Sequence, residues 1–439
     1  MFLGYNILLL LSAIFLLPYY AVKILVAGKY RKSIGPKLGF TPETLYKSMT
    51  GEPRIWIHAV SVGEVTAAAP IVASLRERFP GACIVLSTST ETGQEMAKKM
   101  MVGATSFMYY PLDLPFVVKK ALCRVRPDVF VIVETELWPN FLRVCKSMNI
   151  RIVVANGRLS PRSFKRYYAT RFFWRRILGF IDKVGAISET DATRFTAIGV
   201  PSATVSVLGN AKYDGLAART DPRLIDQISA KIGMKAGERV FVAGSTHEGE
   251  EEVVLKVYRR LLKVYNDFRL VIIPRHIERG ERVRALARDA GFSDSLTITD
   301  IRAGMNPESA RIIIVDVIGE LFKIYGLATI VYCGGSLVDR GGQNILEPAA
   351  WGKVIFYGPH MDDFLEERAM LEEAGAGITV HDGETLYRGI VMLLQDPETL
   401  TEKGEAGKQA VAANMGASER YAAMVEEHIP HSSEGVICA

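Results

Sequence analysis

Short apolar runs alternate with longer stretches of helical periodicity along most of the chain. In the first half, the apolar runs that predict strands are Arg54–Val60, Cys83–Ser87, Val129–Val133, Arg151–Ala155, Val184–Ile187 and Val205–Leu208. Helix-like stretches with apolar residues at three- and four-residue spacing separate them. Strands that alternate with helices in this way predict a parallel sheet covered on both faces.

The polar stretch 209–239 interrupts this alternation, because it contains Asp221-Pro222 and no long apolar run. We therefore predict a linker with a short helix there. A second alternating series follows, with predicted strands at Val240–Ala243, Leu270–Ile273, Ile312–Val315, Ile330–Cys333 and Val354–Phe356. Two Rossmann-like α/β domains in tandem are expected, with ligands at the carboxyl ends of the strands and a cleft between the domains.

The N-terminus differs from the rest, because Met1–Val22 carries no charged residue. About 20 apolar residues span a bilayer as a helix. Basic residues follow immediately, in the predicted juxtamembrane segment 23–50: Lys23, Lys29, Arg31, Lys32 and Lys37. The pattern predicts a single membrane anchor with the body in the cytoplasm. A cleaved signal peptide would need a basic start and a clear cleavage site. Pro18 leaves a tilted span or an interfacial helix as alternatives.

Composition narrows the possible chemistry. The 439 residues carry a net charge of +5 and are 49% hydrophobic, and this length indicates more than one domain. The five cysteines are scattered without C-x-x-C spacing, which argues against a disulfide framework and a zinc site. No H-E-x-x-H, Walker loop or serine nucleophile elbow is present. The lack of a D-x-D motif beside a strand argues mildly against a metal-dependent sugar transferase.

The glycine-rich segment 334–348 is the most informative motif. It follows the apolar run Ala328–Cys333 and leads to a predicted helix start at Asn344–Glu347. Glycines let backbone N–H groups approach a ligand, and a helix N-terminus favours phosphate. A carboxylate inside that helix can accept hydrogen bonds from ribose. These features predict a nucleotide site, and a strand-to-helix turn without a ligand is the alternative.

Glu64 is the candidate base, because it follows the first predicted strand and opens the next helix. A helix N-terminus lowers the pKa of a carboxyl group, whereas partial burial raises it. An ordinary capping glutamate remains the alternative.

Two further motifs of the first half carry candidate chemistry. Glu134 and Glu136 are two residues apart on an extended segment and point the same way. This predicts either mutual pKa perturbation or one binding role and one structural role. Helix-start chemistry with Pro139 at the first helical position is the alternative. Lys212 lies where the first domain ends and could reach an anionic substrate, although a lone lysine is more often solvated.

Further turns follow predicted strands of the second half. Arg275, in Pro274-Arg275-His276, could hold a phosphate through two hydrogen bonds. Ile318-Gly319-Glu320 begins a helix after a strand, and Gly244–Glu248 is a small-residue turn. Each turn is weak evidence alone, but together they favour a phosphate-containing ligand in the second domain.

The segment Arg158–Arg176 is basic and aromatic. Aromatic side chains favour the membrane interface and basic ones meet anionic headgroups, so membrane or lipid contact is the favoured interpretation. An amphipathic helix with a solvated charged face is the alternative. A nucleic-acid surface ranks last, and we expect no nucleic-acid partner.

Taken together, these motifs resemble the 3-deoxy-D-manno-octulosonic acid (Kdo) transferases of lipopolysaccharide synthesis. The matching segments, in family order, are Ser61–Glu64, Glu134–Pro139, Gly209–Asp214, Pro274–His276, Gly319–Leu321 and Gly334–Glu347. Gln343 departs from the family, where histidine is frequent, and Tyr213 stands where phenylalanine is common.

The resemblance implies a GT-B fold and an inverting, metal-independent transfer of Kdo from CMP-Kdo to a lipid A precursor (lipid IVA), without a cofactor. It implies an acceptor domain at 51–215 and a CMP-sugar domain at 216–430, from which the last helix can return to the first domain. We expect the protein on the cytoplasmic face of the bacterial inner membrane, held there by Met1–Val22. We infer from the residues themselves that Arg158–Arg176 also contacts the membrane surface or the phosphorylated lipid. The anchor is expected to be a tether whose removal leaves transfer intact.

Residue roles carried over from the family fall in both domains. Glu64 matches the proton acceptor, and Glu134 and Lys212 match positions that stabilise the transition state. The positions that match the CMP site are Pro274, Arg275, Ile318, Gly319, Glu320, Asn344, Ile345, Leu346 and Glu347. A transferase that uses a UDP-sugar, and a membrane-tethered nucleotide-binding protein without catalysis, remain the rival interpretations.

Overall fold

The computed structural model describes residues 2–12, 14, 33–217, 219–235 and 237–430. Two compact units are present: Met1–Gly215 together with Asn414–Ala439, and Leu216–Ala413. Each unit contains a seven-stranded sheet. All strand pairs are parallel, so the predicted α/β fold with two Rossmann-like domains is confirmed.

The sheet of the first unit has the strand order β3-β2-β1-β4-β5-β6-β7. Its strands are β1 (Arg54–His58), β2 (Cys83–Thr88), β3 (Ser106–Tyr109), β4 (Val129–Val133), β5 (Arg151–Gly157), β6 (Lys183–Ala186) and β7 (Val205–Val207). The central strand β4 is buried at every residue. Such a run fits a strand with helices on both faces.

Eleven helices precede or follow these strands in the described part of the chain up to residue 217. They are α1 (residues 2–12), α2 (Ile34–Lys37), α3 (Glu43–Lys47), α4 (Val62–Arg78), α5 (Glu91–Met100), α6 (Pro115–Val125), α7 (Pro139–Ser147), α8 (Pro161–Ala169), α9 (Arg171–Leu178), α10 (Glu189–Ile198) and α11 (Asp214–Ala217). A 3₁₀ turn, Ser202–Thr204, precedes β7. One apolar core lies on each face of the sheet, with Trp56 and Phe130 in one and Ile55 and Val131 in the other.

The sheet of the second unit has the order β10-β11-β9-β8-β12-β13-β14. Its strands are β8 (Arg239–Thr246), β9 (Phe268–Pro274), β10 (Leu296–Thr297), β11 (Ile312–Ile314), β12 (Ile330–Cys333), β13 (Ile355–Tyr357) and β14 (Gly377–Thr379). The chain starts at β8, builds one side of the sheet, and then returns to pair β12 with the other edge of β8. This reversal of strand order is where doubly wound sheets bind ligands.

The helices of the second unit cover its sheet. They are α12 (Pro222–Lys231), α13 (Glu250–Leu261), α14 (Gly280–Asp289), α15 (Ile298–Arg302), α16 (Leu321–Leu327), α17 (Leu346–Ala350), α18 (Leu365–Glu373), α19 (Gly383–Leu394) and α20 (Pro397–Ala413), with 3₁₀ turns at Ile277–Arg279 and Pro307–Ser309. The core between sheet and helices includes Phe241, Tyr258 and Ile390.

The last described helix, α21 (Ala417–Glu426), belongs to the first unit. The Tyr421 hydroxyl donates to the carbonyl of Gly209 at 2.7 Å, and Arg420 Nε donates to the carbonyl of Leu208 at 2.8 Å. These bonds hold the segment that follows β7, which carries Lys212.

Several local predictions need correction. The strands β3, β10 and β14 were not predicted. The segment Arg158–Arg176, for which one amphipathic helix was the alternative, contains two helices that meet at Thr170. The predicted linker contains two helices, α11 and α12. Among the described residues, none of the helices is both long enough and apolar enough to cross a membrane. Residues 1, 13 and 15–22 of the predicted anchor lie outside the described residues.

Candidate active site

The first unit brings together the polar side chains that the sequence singled out. Glu64 lies in the first turn of α4 just after β1, Glu134 and Glu136 follow β4, and Lys212 follows β7. All of these strands are parallel, so their carboxyl ends share one edge of the sheet.

Glu64 both caps its helix and belongs to a carboxylate cluster. Its Oε2 accepts a hydrogen bond from the backbone N–H of Val60. Burial raises the pKa of Glu64 to about 7, and the negative charges of Glu134 and Glu136 add to this, against the opposing effect of backbone N–H groups. Burial therefore outweighs the helix N-terminus, and the carboxyl group can exchange a proton near neutral pH.

Glu134 pairs with Lys212, whose Nζ lies 2.9 Å from Oε1 of the glutamate. Glu134 has φ of 62°, in the left-handed region that non-glycine residues rarely adopt. Its backbone N–H donates to the carbonyl of Ala155 at 3.0 Å, and the hydroxyl of Thr135 donates to the carbonyl of Arg158. These bonds hold the strained turn in place.

Lys212 is fixed through its main chain. The backbone N–H of Ala211 donates to Oδ1 of the buried Asn156 at 2.9 Å, and that of Lys212 donates to Oδ1 of Asn210 at 3.1 Å. Glu136 is half-buried, and burial raises its pKa. The cluster thus contains two carboxyl groups with raised pKa values and one carboxylate paired with a cation.

The second unit contains a cavity of about 500 Å³ at the carboxyl ends of β8 and β9 and beside the turn after β12. It is lined by His247, Glu248, His276, Arg279, Val338, Asp339 and Arg340. The cavity lies beside the β8–β12 pair, where the strand order reverses. Its basic side chains suit an anion and its carboxylates suit hydroxyl groups.

The predicted CMP-binding residues at β9 and β11 lie at turns on this sheet edge. Pro274 ends β9, and the backbone N–H of Arg275 donates to the carbonyl of Thr246 at 2.9 Å while its side chain is exposed. Ile318 is 84% exposed, and Gly319 has φ of +93°. The Arg275 and Ile318 side chains are therefore accessible to a ligand.

Glu320 is held by cations. Lys231 Nζ lies 2.6 Å from its carboxylate, and Arg302 and Lys323 each lie 3.4 Å away. Burial would raise the pKa of Glu320, but the ion pairs with Lys231 and Lys323 keep it below its usual range. Its carboxylate therefore already has partners.

Asn344, Ile345, Leu346 and Glu347 form the start of α17. Oδ1 of Asn344 accepts the backbone N–H of Leu346 at 3.1 Å, and Ile345 and Leu346 are buried. Burial raises the pKa of Glu347, opposed by the nearby charge of Arg219. The helix begins at Leu346, two residues later than predicted, because Asn344 forms the turn before it.

Glu250 was missed by sequence reasoning, and it corrects the interpretation of the glycine-rich segment. Its fully buried carboxylate accepts hydrogen bonds from five donors at 2.7–3.0 Å: the backbone N–H groups of His247, Gly335, Ser336 and Leu337, and the hydroxyl of Tyr332. The expectation that backbone N–H groups of this turn face a ligand is therefore wrong at Gly335, Ser336 and Leu337, since an internal carboxylate already binds them.

The sequence signal for Glu250 was weak. It begins the acidic run Glu250–Glu252 at the start of α13, and acids in a first turn are common. Only the contact of its carboxylate with the glycine-rich turn distinguishes Glu250 from an ordinary first-turn glutamate.

One group of side chains among the described residues could hold a metal ion. It consists of Asp339, His360 and Asp362, whose ligand atoms lie within 4.8 Å of one another. Asp339 is 85% exposed, and His360 is partly exposed. Asp339 also lines the cavity of the second unit.

The fold has known counterparts among nucleotide-sugar enzymes. It is similar to a UDP-GlcNAc 2-epimerase from Neisseria meningitidis bound to UDP-GlcNAc (14% identity, 86% of this chain and 99% of that chain, TM-score 0.58). It is also similar to a glycosyltransferase from Rickettsia africae ESF-5 (15% identity, 86% and 99%, TM-score 0.56). These likenesses define the architecture as GT-B, as predicted.

The sequence comparisons specify the family. Residues 32–215 match the model of the 3-deoxy-D-manno-octulosonic-acid transferase (Kdo transferase) family. The chain is 33% identical over 430 residues to the 3-deoxy-D-manno-octulosonic acid transferase of Haemophilus influenzae, which covers 97% of this chain and 98% of the relative. The chain therefore belongs to the Kdo transferase family and is a glycosyltransferase, which confirms the resemblance seen in its motifs.

Proposed function

We propose that this enzyme transfers Kdo from CMP-Kdo to a hydroxyl group of a lipid A precursor, lipid IVA, in lipopolysaccharide core synthesis. The transfer inverts the anomeric centre and needs no metal ion. The family membership supports the donor and the class of acceptor, and the carboxylate cluster supports the chemistry.

Glu64 is the general base of this reaction. Its carboxylate takes the proton of the acceptor hydroxyl as that oxygen attacks the anomeric carbon of Kdo. The bond from this carbon to the phosphate oxygen breaks on the opposite face, and CMP leaves with the electron pair. The observation that carries the proposal is the place of Glu64 in the first turn of α4, at the sheet edge that also carries Glu134 and Glu136. Burial there raises the pKa of Glu64 to about 7, and a base works best when its pKa lies near the working pH.

Glu134 and Lys212 stabilise the transition state as a pair. Positive charge develops on the anomeric carbon, and a carboxylate near that carbon lowers the energy of the charged species. The 2.9 Å ion pair with Lys212 keeps Glu134 in one position. The left-handed backbone conformation of Glu134 also fixes the direction of its side chain, since backbone strain at functional residues is part of their preorganisation.

The second unit binds the donor through the predicted residues Pro274, Arg275, Ile318, Gly319, Glu320 and Asn344–Glu347. The cavity lined by Asp339 and Arg340 accepts the sugar acid. The guanidinium of Arg340, which forms no salt bridge with another described residue, binds its carboxylate, and Asp339 accepts hydrogen bonds from its hydroxyl groups. Basic side chains such as Arg275 offset the charge of the departing CMP, as preorganised donors do in other transfer enzymes.

Membrane contact follows from the exposed apolar face of α1. This face consists of Leu3, Ile7, Leu8, Leu10 and Leu11, which are 49–75% exposed. In α9, Phe172 is 82% exposed and lines a depression of about 800 Å³ together with Arg171 and Arg175. An apolar face beside arginines suits the interface of an anionic membrane, and we propose the cytoplasmic face of the bacterial inner membrane.

The basic aromatic segment Arg158–Arg176 contains two amphipathic helices, α8 and α9. Phe164, Tyr167, Phe173 and Trp174 pack against the core, whereas the arginines of α8 and α9 face outward. The phosphorylated lipid acceptor supplies these arginines with a partner.

The direct test is incubation of the purified enzyme with CMP-Kdo and lipid IVA in detergent, followed by mass spectrometry. We expect products heavier by whole Kdo units, full activity in excess EDTA, and inhibition by CMP but not by UDP. No Kdo product would overturn the proposed function. Activity lost in EDTA and restored by Mg²⁺ would overturn metal independence and direct attention to Asp339, His360 and Asp362.

A further inference from the structure

Helix α1 packs against the first unit through one face. The ring of Phe2 stacks on that of Phe180 with centroids 6.3 Å apart, and the rings of Tyr5 and Phe173 lie 6.0 Å apart. The guanidinium of Arg143, in α7, lies 4.8 Å from the centroid of the Phe2 ring. The helix is therefore part of the packed unit as well as a candidate for membrane contact.

Two polar residues of α1 reach further into the unit. The Tyr5 hydroxyl donates to Oδ2 of Asp113 at 2.9 Å. Nδ2 of Asn140, the second residue of α7, donates to Oδ1 of Asn6 at 2.7 Å. A helix that only spans or coats a bilayer has no need for side chains that make such specific bonds inside the protein.

Asp113 caps the start of α7 from a different part of the chain. It is 4% exposed and accepts the backbone N–H groups of Asn140 at 3.0 Å and Phe141 at 2.8 Å. The helix makes no cap of its own, because Trp138 at its N-cap position offers no side-chain hydrogen bond. The N–H groups in the first turn of a helix have no acceptor within that helix, so Asp113 supplies the acceptor for the first turn of α7.

Helix α7 follows immediately on the turn that carries Glu134 and Glu136. Its Phe141 packs edge-on against Trp56 of β1, with 5.3 Å between the ring centroids. The start of α7 therefore packs against the sheet. We infer that α1 is a positioning element of the catalytic site: through Tyr5, Asn6 and Asp113 it fixes the start of α7 and with it the turn 134–138.

The protonation of Asp113 is part of this coupling. Burial raises the pKa of Asp113 to about 6, whereas the N–H groups of Asn140 and Phe141 and the Tyr5 hydroxyl favour the ionised form. Tyr110 also faces it, and the charge of Asp113 contributes to the raised pKa of that tyrosine. Loss of the Tyr5 hydroxyl removes one bond to the ionised carboxylate, and a protonated Asp113 is a weaker acceptor for the helix.

The test uses the full-length enzyme in detergent, so that membrane contact plays no part. Tyr5→Phe removes only the hydroxyl, and we expect kcat to fall roughly tenfold, as for one lost hydrogen bond to a charged group, with the KM for CMP-Kdo unchanged. Asp113→Asn should lower kcat further. The double variant should be no worse than Asp113→Asn alone, because Asp113→Asn already removes the carboxylate to which the Tyr5 hydroxyl donates.

Two controls separate this role from others. Leu3→Ala changes the outer face of α1, where Leu3 is 75% exposed, and should leave kcat in detergent within twofold. Amide hydrogen exchange of residues 139–147 should accelerate in Tyr5→Phe and not in Leu3→Ala. The kcat readout depends on the proposed function, whereas the exchange readout does not.

The inference is overturned if Tyr5→Phe retains full kcat and normal exchange, or if the effects of the two single variants simply add. It also predicts that deleting residues 2–12 lowers kcat in detergent, contrary to the expectation that the N-terminal segment is only a tether. A deletion variant that folds and turns over at the normal rate would contradict it equally.

Discussion

Glu64 and Glu250 occupy equivalent places in the two units, and their surroundings differ. Each lies in the first turn of the helix that follows the first strand of its sheet. Glu64 is partly buried, and its carboxylate accepts the N–H of Val60. Glu250 is completely buried, with five hydrogen-bond donors on its carboxylate.

Burial and the number of nearby hydrogen-bond donors determine what a glutamate at this position can do. A carboxyl group that loses solvent without gaining enough donors holds its proton more tightly, as the Glu64 pKa of about 7 indicates. A carboxylate that gains a full set of donors organises the backbone around it instead. The first arrangement suits proton transfer, and the second builds the glycine turn of the second unit.

Replacement of Glu64 by Gln should have the largest effect on turnover. The amide keeps the size of the side chain but cannot take a proton, so we expect kcat to fall about 10³-fold, within the range for a lost general base. The affinity for CMP, measured by titration calorimetry, should change less than twofold, because the residues that we propose for CMP binding belong to the other unit.

Replacement of Glu250 by Gln should act on stability rather than on proton transfer. The amide nitrogen would face backbone N–H groups and leave about two of them unsatisfied, at about 1–3 kcal/mol each. We expect the free energy of unfolding in urea to fall by about 3 kcal/mol and the binding of CMP to weaken. Glu398→Gln, an exposed acid in the first turn of α20, is the matched control and should stay within about 0.5 kcal/mol. If both variants are equally stable, Glu250 does not hold the turn.

Much of the fold could be predicted because the strands are buried on both faces. Runs such as Val129–Val133 and Ile330–Cys333 are apolar at every residue. The three missed strands β3, β10 and β14 are all edge strands, and they are short or mixed in polarity. Ser106–Tyr109 alternates buried and half-buried residues, and Leu296–Thr297 has only two residues. A run of this kind is hard to distinguish from a loop without its neighbour.

The candidate site could be predicted in part. The turns that carry Glu64, Glu134 and Arg275 follow apolar runs, so their places at strand ends followed from the pattern. Most partners of Glu250 and all those of Asp113 could not be predicted, because they lie far away in sequence. Gly335 is 85 residues from Glu250, and Asn140 is 27 residues from Asp113. Tyr5 and Asn6 lie in the segment that the sequence predicts to be an apolar anchor. Only the folded structure shows their hydrogen bonds with Asp113 and Asn140. The balance between burial and helix N-terminus at Glu64 also required the folded structure.

The pH dependence of kcat/KM tests the central claim most directly. A base must be ionised to accept a proton, so activity should rise with pH through about 7, the pKa to which burial raises Glu64, and level off above it. Glu136→Gln removes a nearby negative charge that raises this pKa, and should therefore shift the rise to lower pH. A rise centred near 4.5, the ordinary value for glutamate, or a Glu64→Gln variant with the wild-type profile, would contradict the account.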